Sequence, residues 1–189
     1  MLRQIYGNIK ISEDDWNESG FAKFCFEPYY LLAAMFKPKK ILEIGTRRGY
    51  SLIAMFKGYP QVEFIWSCDN ESYEKGSQGV ALGNLVTSGW QGNDRFVTAS
   101  SYTDEFKNAI NDKTFDLIHI DAAHDYPDVV HDLELTLPVL SKDGVMLVHD
   151  YTYILDVKKA VDEFAVKYNL NCLLINSYRG LAVLQRRVK

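Results

Sequence analysis

The sequence contains few cysteines and no long apolar run. Its 189 residues include three cysteines, Cys25, Cys68 and Cys172, with no C-x-x-C pair and no spacing typical of a zinc site. This scattered, odd-numbered set argues against a disulfide framework and favours a reducing compartment. The longest apolar runs, such as residues 31–36, fall far short of the roughly 18 residues that span a membrane, and the first residues lack the apolar core of a signal peptide. We therefore expect a cytoplasmic protein with no membrane partner.

The sequence also lacks an excess of basic residues. Lysine and arginine number 21 against 25 aspartates and glutamates, for a formal net charge of −4, which argues against a nucleic-acid partner. No internal repeat, linker or low-complexity stretch is visible. The hydrophobic fraction of 47% and the length suit one globular domain. Tyrosine is abundant, with 12 residues, and an excess of this kind is typical of a half-exposed packing or binding surface.

Short apolar runs alternate with helical patterns along most of the chain. The last two runs are separated by five residues, too few for a helical crossover, and so predict an antiparallel hairpin. The alternation predicts an α/β fold: a Rossmann-like parallel sheet between helices, over residues 39–189, finished by one reversed strand. Residues 1–38 form a polar and aromatic segment with one short helix. Strands are predicted at 40–44, 62–68, 95–99, 115–120, 144–149, 170–175 and 181–185, and helices at 28–36, 51–57, 73–88, 103–110, 128–140 and about 157–168.

Ionisable and hydrogen-bonding residues follow nearly every predicted parallel strand. Open α/β sheets bind ligands beyond the carboxyl ends of their strands, so these residues are expected to share one site. They are Glu43 and residues 45–49 at the first strand, Asp69 at the second, Ser100 and Ser101 at the third, Asp121 and His124 at the fourth, and His149 and Asp150 at the fifth.

The loop after the first strand reads E-x-G-x-x-x-G over residues 43–49, which differs from the G-x-G-x-x-G of dinucleotide enzymes. Glycine lets the backbone turn sharply and approach a ligand closely. A pyrophosphate favours a helix N-terminus without a nearby carboxylate, whereas Glu43 suits a ligand that carries an ammonium group. Asp69 can accept hydrogen bonds from two ribose hydroxyls. The alternative is a tight strand–helix turn flanked by solvated acids.

Residues 41–51, with the sequence ILEIGTRRGYS, resemble the first motif of class I S-adenosylmethionine-dependent methyltransferases. The resemblance covers residues 38–187. It implies a doubly wound seven-stranded sheet of order 3-2-1-4-5-7-6, mostly parallel with the last strand antiparallel, and S-adenosylmethionine as cofactor. It also implies that Glu43 faces the methionine amino group, that Gly45, Thr46, Gly49 and Ser51 line the cofactor, that Asp69 and Asn70 hold the ribose, and that Ser100 and Ser101 lie near the adenine.

Residues 116–126 and 144–151, DLIHIDAAHDY and GVMLVHDY, are similar to the metal-dependent O-methyltransferases that act on sugars and antibiotics. These include the cephalosporin-hydroxylase-like group, of the methyltransferase family 24 type. The resemblance implies that Asp121 serves cofactor binding and catalysis, that His124 is the general base, and that Asp121, His149 and Asp150 bind Mg²⁺ or another divalent cation. His149 stands where an acid or asparagine is more usual, and a histidine suits softer ions than Mg²⁺.

The chemistry of methyl transfer to a hydroxyl agrees with these assignments. The hydroxyl must lose its proton as it attacks, and a histidine that titrates near neutrality is a suitable base. A divalent ion would lower the pKa of the hydroxyl. We therefore expect a methyltransferase acting on a small hydroxylated acceptor, such as a sugar, an antibiotic-like molecule or an aromatic compound. Two alternatives stay open: an NAD(P)-type oxidoreductase, and a non-catalytic protein that binds S-adenosylmethionine.

The acceptor pocket has few segments from which it can be built. They are the N-terminal segment, residues 122–128 and residues 151–156. Aromatic rings of Trp16, Tyr126, Tyr151 and Tyr153 could wall it, although aromatic cover over the sheet edge is an equal alternative. A second copy of the chain could complete the pocket, so a homo-oligomer is also considered.

Overall fold

The computed structural model of the protein describes residues 5, 6, 9 and 26–187, so Trp16 and Cys25 lie outside the described residues. Among these residues no helix has both the length and the apolar character that a bilayer crossing requires. The helices and strands are α1 (Glu27–Phe36), β1 (Lys40–Ile44), α2 (Tyr50–Gly58), β2 (Phe64–Asp69), α3 (Ser77–Thr87), β3 (Asn93–Thr98), α4 (Asp104–Ile110), β4 (Phe115–Ile120), α5 (Tyr126–Thr136), β5 (Leu140–Val148), α6 (Leu155–Lys167), β6 (Leu170–Ile175) and β7 (Leu181–Arg186).

The seven strands form one sheet of order β3-β2-β1-β4-β5-β7-β6. Strands β1 to β5 pair in parallel, and β7 lies antiparallel to both β5 and β6. The predicted α/β fold, its strand order and the single reversed strand are therefore confirmed. The carboxyl ends of the five parallel strands meet at one edge of the sheet, because parallel strands all end on the same side.

The core explains why the parallel strands read as continuous apolar runs. Alternate residues of β1 and β4 enter two separate clusters, one on each face of the sheet: Leu42 and Ile118 belong to one, and Ile41 and Leu117 to the other. Both faces are covered by helices, so both sets of side chains are buried. Polar side chains at the centre of these strands are consequently exceptional, and those that occur require partners inside the protein.

Two helix boundaries lie four residues from their predicted positions, and the others differ by no more than two residues. The helix expected from residue 73 begins at Ser77, because the preceding residues turn sharply and the carboxylate of Glu71 accepts hydrogen bonds from the N–H groups of Gly76 (2.9 Å) and Gln78 (3.1 Å). The helix expected to reach residue 140 ends at Thr136 and continues as one 3₁₀ turn that contains Pro138. Proline has no N–H to continue the α-helical bonding, and β5 then begins at Leu140 rather than Gly144.

Gly45 joins β1 to the loop before α2 at a point with no space for a side chain. Its φ is +86°, and a Cβ atom added there would lie 2.0 Å from the carbonyl oxygen of Asp121. The N–H of Gly45 donates to the carbonyl of Cys68 at 2.8 Å, and the N–H of Asp121 donates to the carbonyl of Ile44 at 2.9 Å. The absence of a side chain at Gly45 therefore brings the loop after β1 against the end of β4.

Replacing Gly45 by alanine is expected to destabilise the fold by about 2–5 kcal/mol. The left-handed backbone and the steric overlap with Asp121 both contribute. The matched control is Gly83→Ala in α3, where an added Cβ meets nothing within 4 Å and should stabilise the helix by about 0.5–1 kcal/mol. Urea unfolding of both variants measures the two free energies, and equal effects of the two substitutions would contradict the interpretation of Gly45.

Candidate functional site

A cavity of about 1000 Å³ lies at the carboxyl ends of the parallel strands. Most of the residues singled out from the sequence line it. They are Gly45, Thr46, Ser51, Asp69, Asn70, Ser100, Ser101, Asp121, His124, His149 and Asp150. Of the predicted site residues, Glu43 and Gly49 are absent from the described lining; Gly49 instead begins α2 with a φ of +76° and packs against Ala81.

Asp69 ties the loops after β1 and β2 together. Its Oδ2 atom accepts a hydrogen bond from the N–H of Arg47 and its Oδ1 atom one from the N–H of Glu71, both at 2.7 Å. A carboxylate has about four lone-pair sites, so both oxygens keep capacity for further donors. Below them, the hydroxyls of Thr46 and Ser67 share a buried hydrogen bond of 2.6 Å. The cavity floor here is therefore held in position before a ligand arrives.

Glu43 lies inside the protein, paired with residues on two neighbouring elements. The register of β1 against β4 sets Glu43 beside His119, and His119 Nδ1 lies 2.7 Å from Glu43 Oε1, which also accepts a hydrogen bond from Ser51 Oγ. Burial raises the pKa of Glu43, while the His119 contact opposes that rise. Glu43 Oε2 has no hydrogen-bond partner among the described residues.

Two aspartates and two histidines converge where β4 and β5 end. His149 Nδ1 lies 3.2 Å from Asp121 Oδ1, and His124 Nε2 lies 3.2 Å from Asp150 Oδ2 and 3.7 Å from Asp121 Oδ1. The Asp150 side chain is only 2% exposed, and its backbone adopts a left-handed conformation with φ of +58°. The sequence predicted this convergence from the strand ends alone.

The charges of this cluster support one another. Burial opposes ionisation of Asp121, but the nearby imidazoles of His149 and His124 outweigh it and hold the pKa of Asp121 well below its usual range. Burial likewise opposes protonation of His149, yet the Asp121 carboxylate raises the pKa of His149 to about 8. Interaction with Asp121 also raises the pKa of His124. The arrangement therefore favours an ionised Asp121 next to a protonated His149.

The same cluster fits a divalent cation. Asp121, His124 and Asp150 each offer one ligand atom, and these atoms all lie within 4.8 Å of one another. Asp150 Oδ1 is buried without a hydrogen-bond partner among the described residues, which leaves an acceptor that an ion would satisfy. Oxygen and imidazole donors together suit ions such as Mn²⁺ or Zn²⁺ as well as Mg²⁺. The sequence had assigned His149 as the third ligand, whereas the ligand atoms that the structure groups are those of His124.

Asp132 is a cavity residue that the sequence interpretation missed. It lies on the buried face of α5 with Val129, Leu133 and Thr136, and is 2% exposed. Burial raises its pKa to about 6 despite a hydrogen bond with Ser101, and its Oδ1 atom has no partner among the described residues. The available signal was a carboxylate at helical spacing within an otherwise apolar stripe.

The tyrosines expected to wall the acceptor pocket have other partners. Tyr126 donates a hydrogen bond to Glu163 at 2.6 Å, and Tyr151 donates one to Asp162, so both pack against α6. Neither they nor Tyr153 are among the described residues that line the cavity. The aromatic rings that do line it are Phe26, Tyr29, Tyr50, Tyr73, Tyr102 and Tyr178. Tyr126 and Tyr151 therefore pack with the core and α6 and do not line the cavity.

The raised pKa of Asp132 predicts a pH-dependent stability. Because the protonated carboxyl is favoured in the folded protein, its stabilising effect is complete below about pH 4 and is lost as the pH rises through about 6. The loss amounts to about 3 kcal/mol. Asp132→Asn removes this titration, so the variant should gain stability relative to the wild type between pH 4 and 7.5 in urea unfolding. The control is Asp143→Asn, at an exposed position; parallel curves for the wild type and Asp132→Asn would contradict the prediction.

Comparison with known proteins places the chain in a family. A family described as a methyltransferase domain matches residues 42–151. An O-methyltransferase of Aspergillus hancockii, hkm8, is 33% identical over 120 residues, which cover 62% of this chain and 45% of that protein. The chain spans less than half the length of the curated relatives compared with it.

Solved methyltransferases share the fold. The SAH-bound methyltransferase PaMTH1 of Podospora anserina has a TM-score of 0.65 at 19% identity, over 85% of this chain and 76% of that one. The O-methyltransferase of Bacillus cereus, in complex with SAH, has a TM-score of 0.63 at 15% identity, over 96% and 84%. Since the family match extends over more than half of the chain and includes the loops after β1, β4 and β5, the chain belongs to this methyltransferase-domain family.

Proposed function

We propose that the protein transfers a methyl group from S-adenosylmethionine to a hydroxyl of a small molecule. The observation that carries the proposal is the shared cavity: the loops after β1 and β2 and the carboxylate–histidine cluster after β4 and β5 line the same space. A cofactor held by the first set would thus stand next to the acid–base groups of the second. The family membership and the SAH-bound relatives support the same activity.

The cofactor half of the site is assigned to the loops after β1, β2 and β3. Gly45 and Thr46 would line the cofactor, with Gly49 shaping the start of α2. Asp69 and Asn70 would hold the ribose hydroxyls, and the preset orientation of Asp69 lowers the ordering cost of binding. Ser100 and Ser101 would lie near the adenine.

Glu43 would act on the methionine amino group through Ser51. Ser51 lines the cavity, and its hydroxyl donates a hydrogen bond to Glu43. Its oxygen therefore remains free to accept a hydrogen bond from an ammonium group, with the buried carboxylate behind it. The second carboxylate oxygen, Glu43 Oε2, would also stabilise the positive charge of the ammonium group.

S-adenosylmethionine supplies the methyl group on a sulfonium, so the protein's task is to orient the acceptor and to take its proton. His124 would accept the hydroxyl proton as the acceptor oxygen bonds to the methyl carbon and the carbon–sulfur bond breaks. Asp121 and Asp150 lie 3.7 and 3.2 Å from the Nε2 atom of His124 and would stabilise the resulting imidazolium. A neutral His124 is required, and the acceptor then leaves as a methyl ether.

A divalent ion would be held by Asp121 and Asp150, with His149 as third ligand and His124 left as the base. When bound, such an ion lowers the pKa of the acceptor hydroxyl and fixes its oxygen. The grouping of His124 with the two aspartates supports a second role for this residue as a ligand. A neutral imidazole has only one nitrogen that can accept a proton or bind an ion, so His124 cannot do both at once and the two roles are separable by experiment.

The acceptor side would include the N-terminal segment up to residue 38. Phe26 and Tyr29, at the start of α1, line the same cavity. Their rings suit a small aromatic or sugar-like acceptor. A second copy of the chain could add further cover. The oxidoreductase alternative is not favoured, because the first loop lacks the dinucleotide pattern and the reversed β7 accords with the methyltransferase relatives.

Cofactor binding can be tested by calorimetry with SAH and NAD. The wild type is expected to bind SAH and not NAD, and Asp69→Ala should weaken SAH binding by about 10–100-fold, since hydrogen bonds to a charged acceptor are lost. Asp112→Ala removes an exposed aspartate paired with Lys113 and should leave affinity unchanged. NAD binding without SAH binding would refute the proposed function.

Replacing His124 by alanine is expected to lower kcat by about 10²–10⁴-fold and to leave SAH affinity nearly unchanged, because the base is lost and the cofactor loops are intact. Methylation is followed by formation of SAH with a panel of hydroxylated acceptors. Asp112→Ala, at an exposed position paired with Lys113, serves as the control. Wild-type turnover in His124→Ala would eliminate His124 as the base.

The same variant separates the two roles of His124. If His124 is the base, calorimetric titration with Mg²⁺ or Mn²⁺ should give similar affinities for the wild type and His124→Ala, and Asp150→Asn should lose the ion. If His124 is a ligand, the ion affinity falls with the alanine substitution. Exhaustive chelation should abolish turnover in the wild type, and turnover that survives chelation would refute metal assistance.

A further inference from the structure

An arginine borders the carboxylate–histidine cluster on the side formed by the β6–β7 turn. Arg179 adopts a left-handed backbone conformation with φ of +63°, and its carbonyl accepts a hydrogen bond from the N–H of Thr152 at 3.0 Å. A Cβ atom at the following Gly180 would lie 2.4 Å from the Thr152 hydroxyl. The turn is thus packed directly against the segment that carries Asp150. This packing fixes the position of the Arg179 backbone at the cavity wall.

The Arg179 guanidinium lies against two aromatic rings. It lies 4.6 Å from the centroid of the Tyr153 ring and 5.5 Å from that of Tyr178, with a hydrogen bond to the Tyr178 side chain. The side chain is 32% exposed and lines the cavity. Stacking of this kind fixes the plane of the guanidinium and thereby the direction of its donors.

The contact between Arg179 and Asp150 is too long for a close ion pair. Arg179 Nη1 lies 3.6 Å from Asp150 Oδ1, whereas a charge-assisted hydrogen bond to a carboxylate measures about 2.7–2.9 Å. Arg179 Nε has no hydrogen-bond partner among the described residues. A guanidinium offers five N–H donors; Nε is buried and one hydrogen bond goes to Tyr178, so the remaining Nη donors are the ones available to a ligand in the cavity.

We propose that Arg179 binds a carboxylate of the acceptor, and so selects small hydroxy acids. The inference rests on the proposed methyl transfer to a hydroxyl. Asp150 contacts His124 through Oδ2 and Arg179 through Oδ1, so the base and the guanidinium stand on either side of one carboxylate group. An acceptor that contacts both carries a hydroxyl and a carboxylate on the same small molecule.

The geometry also explains why a lysine would serve less well. A planar fork can bind both oxygens of a carboxylate, while an ammonium group acts as a point charge. The rings of Tyr153 and Tyr178 offer flat faces against which the planar guanidinium stacks. The sequence alone did not indicate this subsite, because Arg179 follows no parallel strand.

The test is binding of 2-hydroxybenzoate and its neutral counterpart 2-hydroxybenzamide to the SAH-saturated protein, with chelator present so that no ion contributes. The wild type is expected to bind 2-hydroxybenzoate at least about 10-fold more tightly than the amide, because hydrogen bonds to a charged group are the stronger ones. Arg179→Gln should bring the two affinities to near parity. Arg95→Gln, at an exposed arginine that stacks on Trp66 outside the cavity, should keep the preference.

Arg179→Lys provides a second test in case the glutamine variant misfolds. It should retain SAH affinity and lose part of the preference, since the charge stays and the fork is lost. The proposal would be overturned by equal affinities for the two probes in the wild type, by no binding of either probe, or by a full preference in Arg179→Gln. If the glutamine variant fails to bind SAH, a full preference in Arg179→Lys would overturn the proposal. Failure of the wild type to bind SAH, measured first, would instead refute the proposed function.

Discussion

The contact of Gly45 with the end of β4 is the constraint on which the site depends. Gly45 has no side chain, so its backbone can lie against the carbonyl of Asp121. The loop after β1 and the cluster after β4 are thereby joined at the centre of the sheet, where β1 and β4 pair. The cavity forms around this contact because the outer strands extend the same edge in both directions. The proposed cofactor site and the proposed acid–base site become neighbours through one close backbone approach.

Buried charge is the second constraint, and it is met by pairing. Asp150 is almost completely enclosed, and three cationic or potentially cationic groups, His124, His149 and Arg179, surround it. Glu43 is enclosed too, and His119 and Ser51 supply its partners. Isolated charges in such positions would be costly. Around Asp150 the neutralising groups are themselves assigned roles in the proposed chemistry, whereas Glu43 also depends on His119, which has no direct part in it.

Much of the fold could be predicted because the parallel strands are apolar on both faces and end in polar residues. The same pattern of strand ends predicts the carboxylate–histidine cluster after β4 and β5. The Glu43–His119 pair could not be predicted so directly, since it depends on the register of strands distant in sequence. Asp132 required knowledge of which face of α5 covers the cavity. Tyr126 and Tyr151 were expected in the acceptor wall, whereas carboxylates on α6 bind their hydroxyls.

The packing of Gly180 against Thr152 has a consequence for how members of this family could diversify. The β6–β7 turn and the segment after β5 are joined by backbone hydrogen bonds, because the N–H groups of Tyr151 and Thr152 donate to carbonyls of that turn. The two segments are therefore expected to move together. A residue inserted into the turn would displace the Asp150 carboxylate along with it. If Arg179 binds the acceptor as proposed, new acceptor preferences would arise by exchange of side chains at positions 178 and 179 at constant loop length, and homologues with longer turns should need compensating changes after β5.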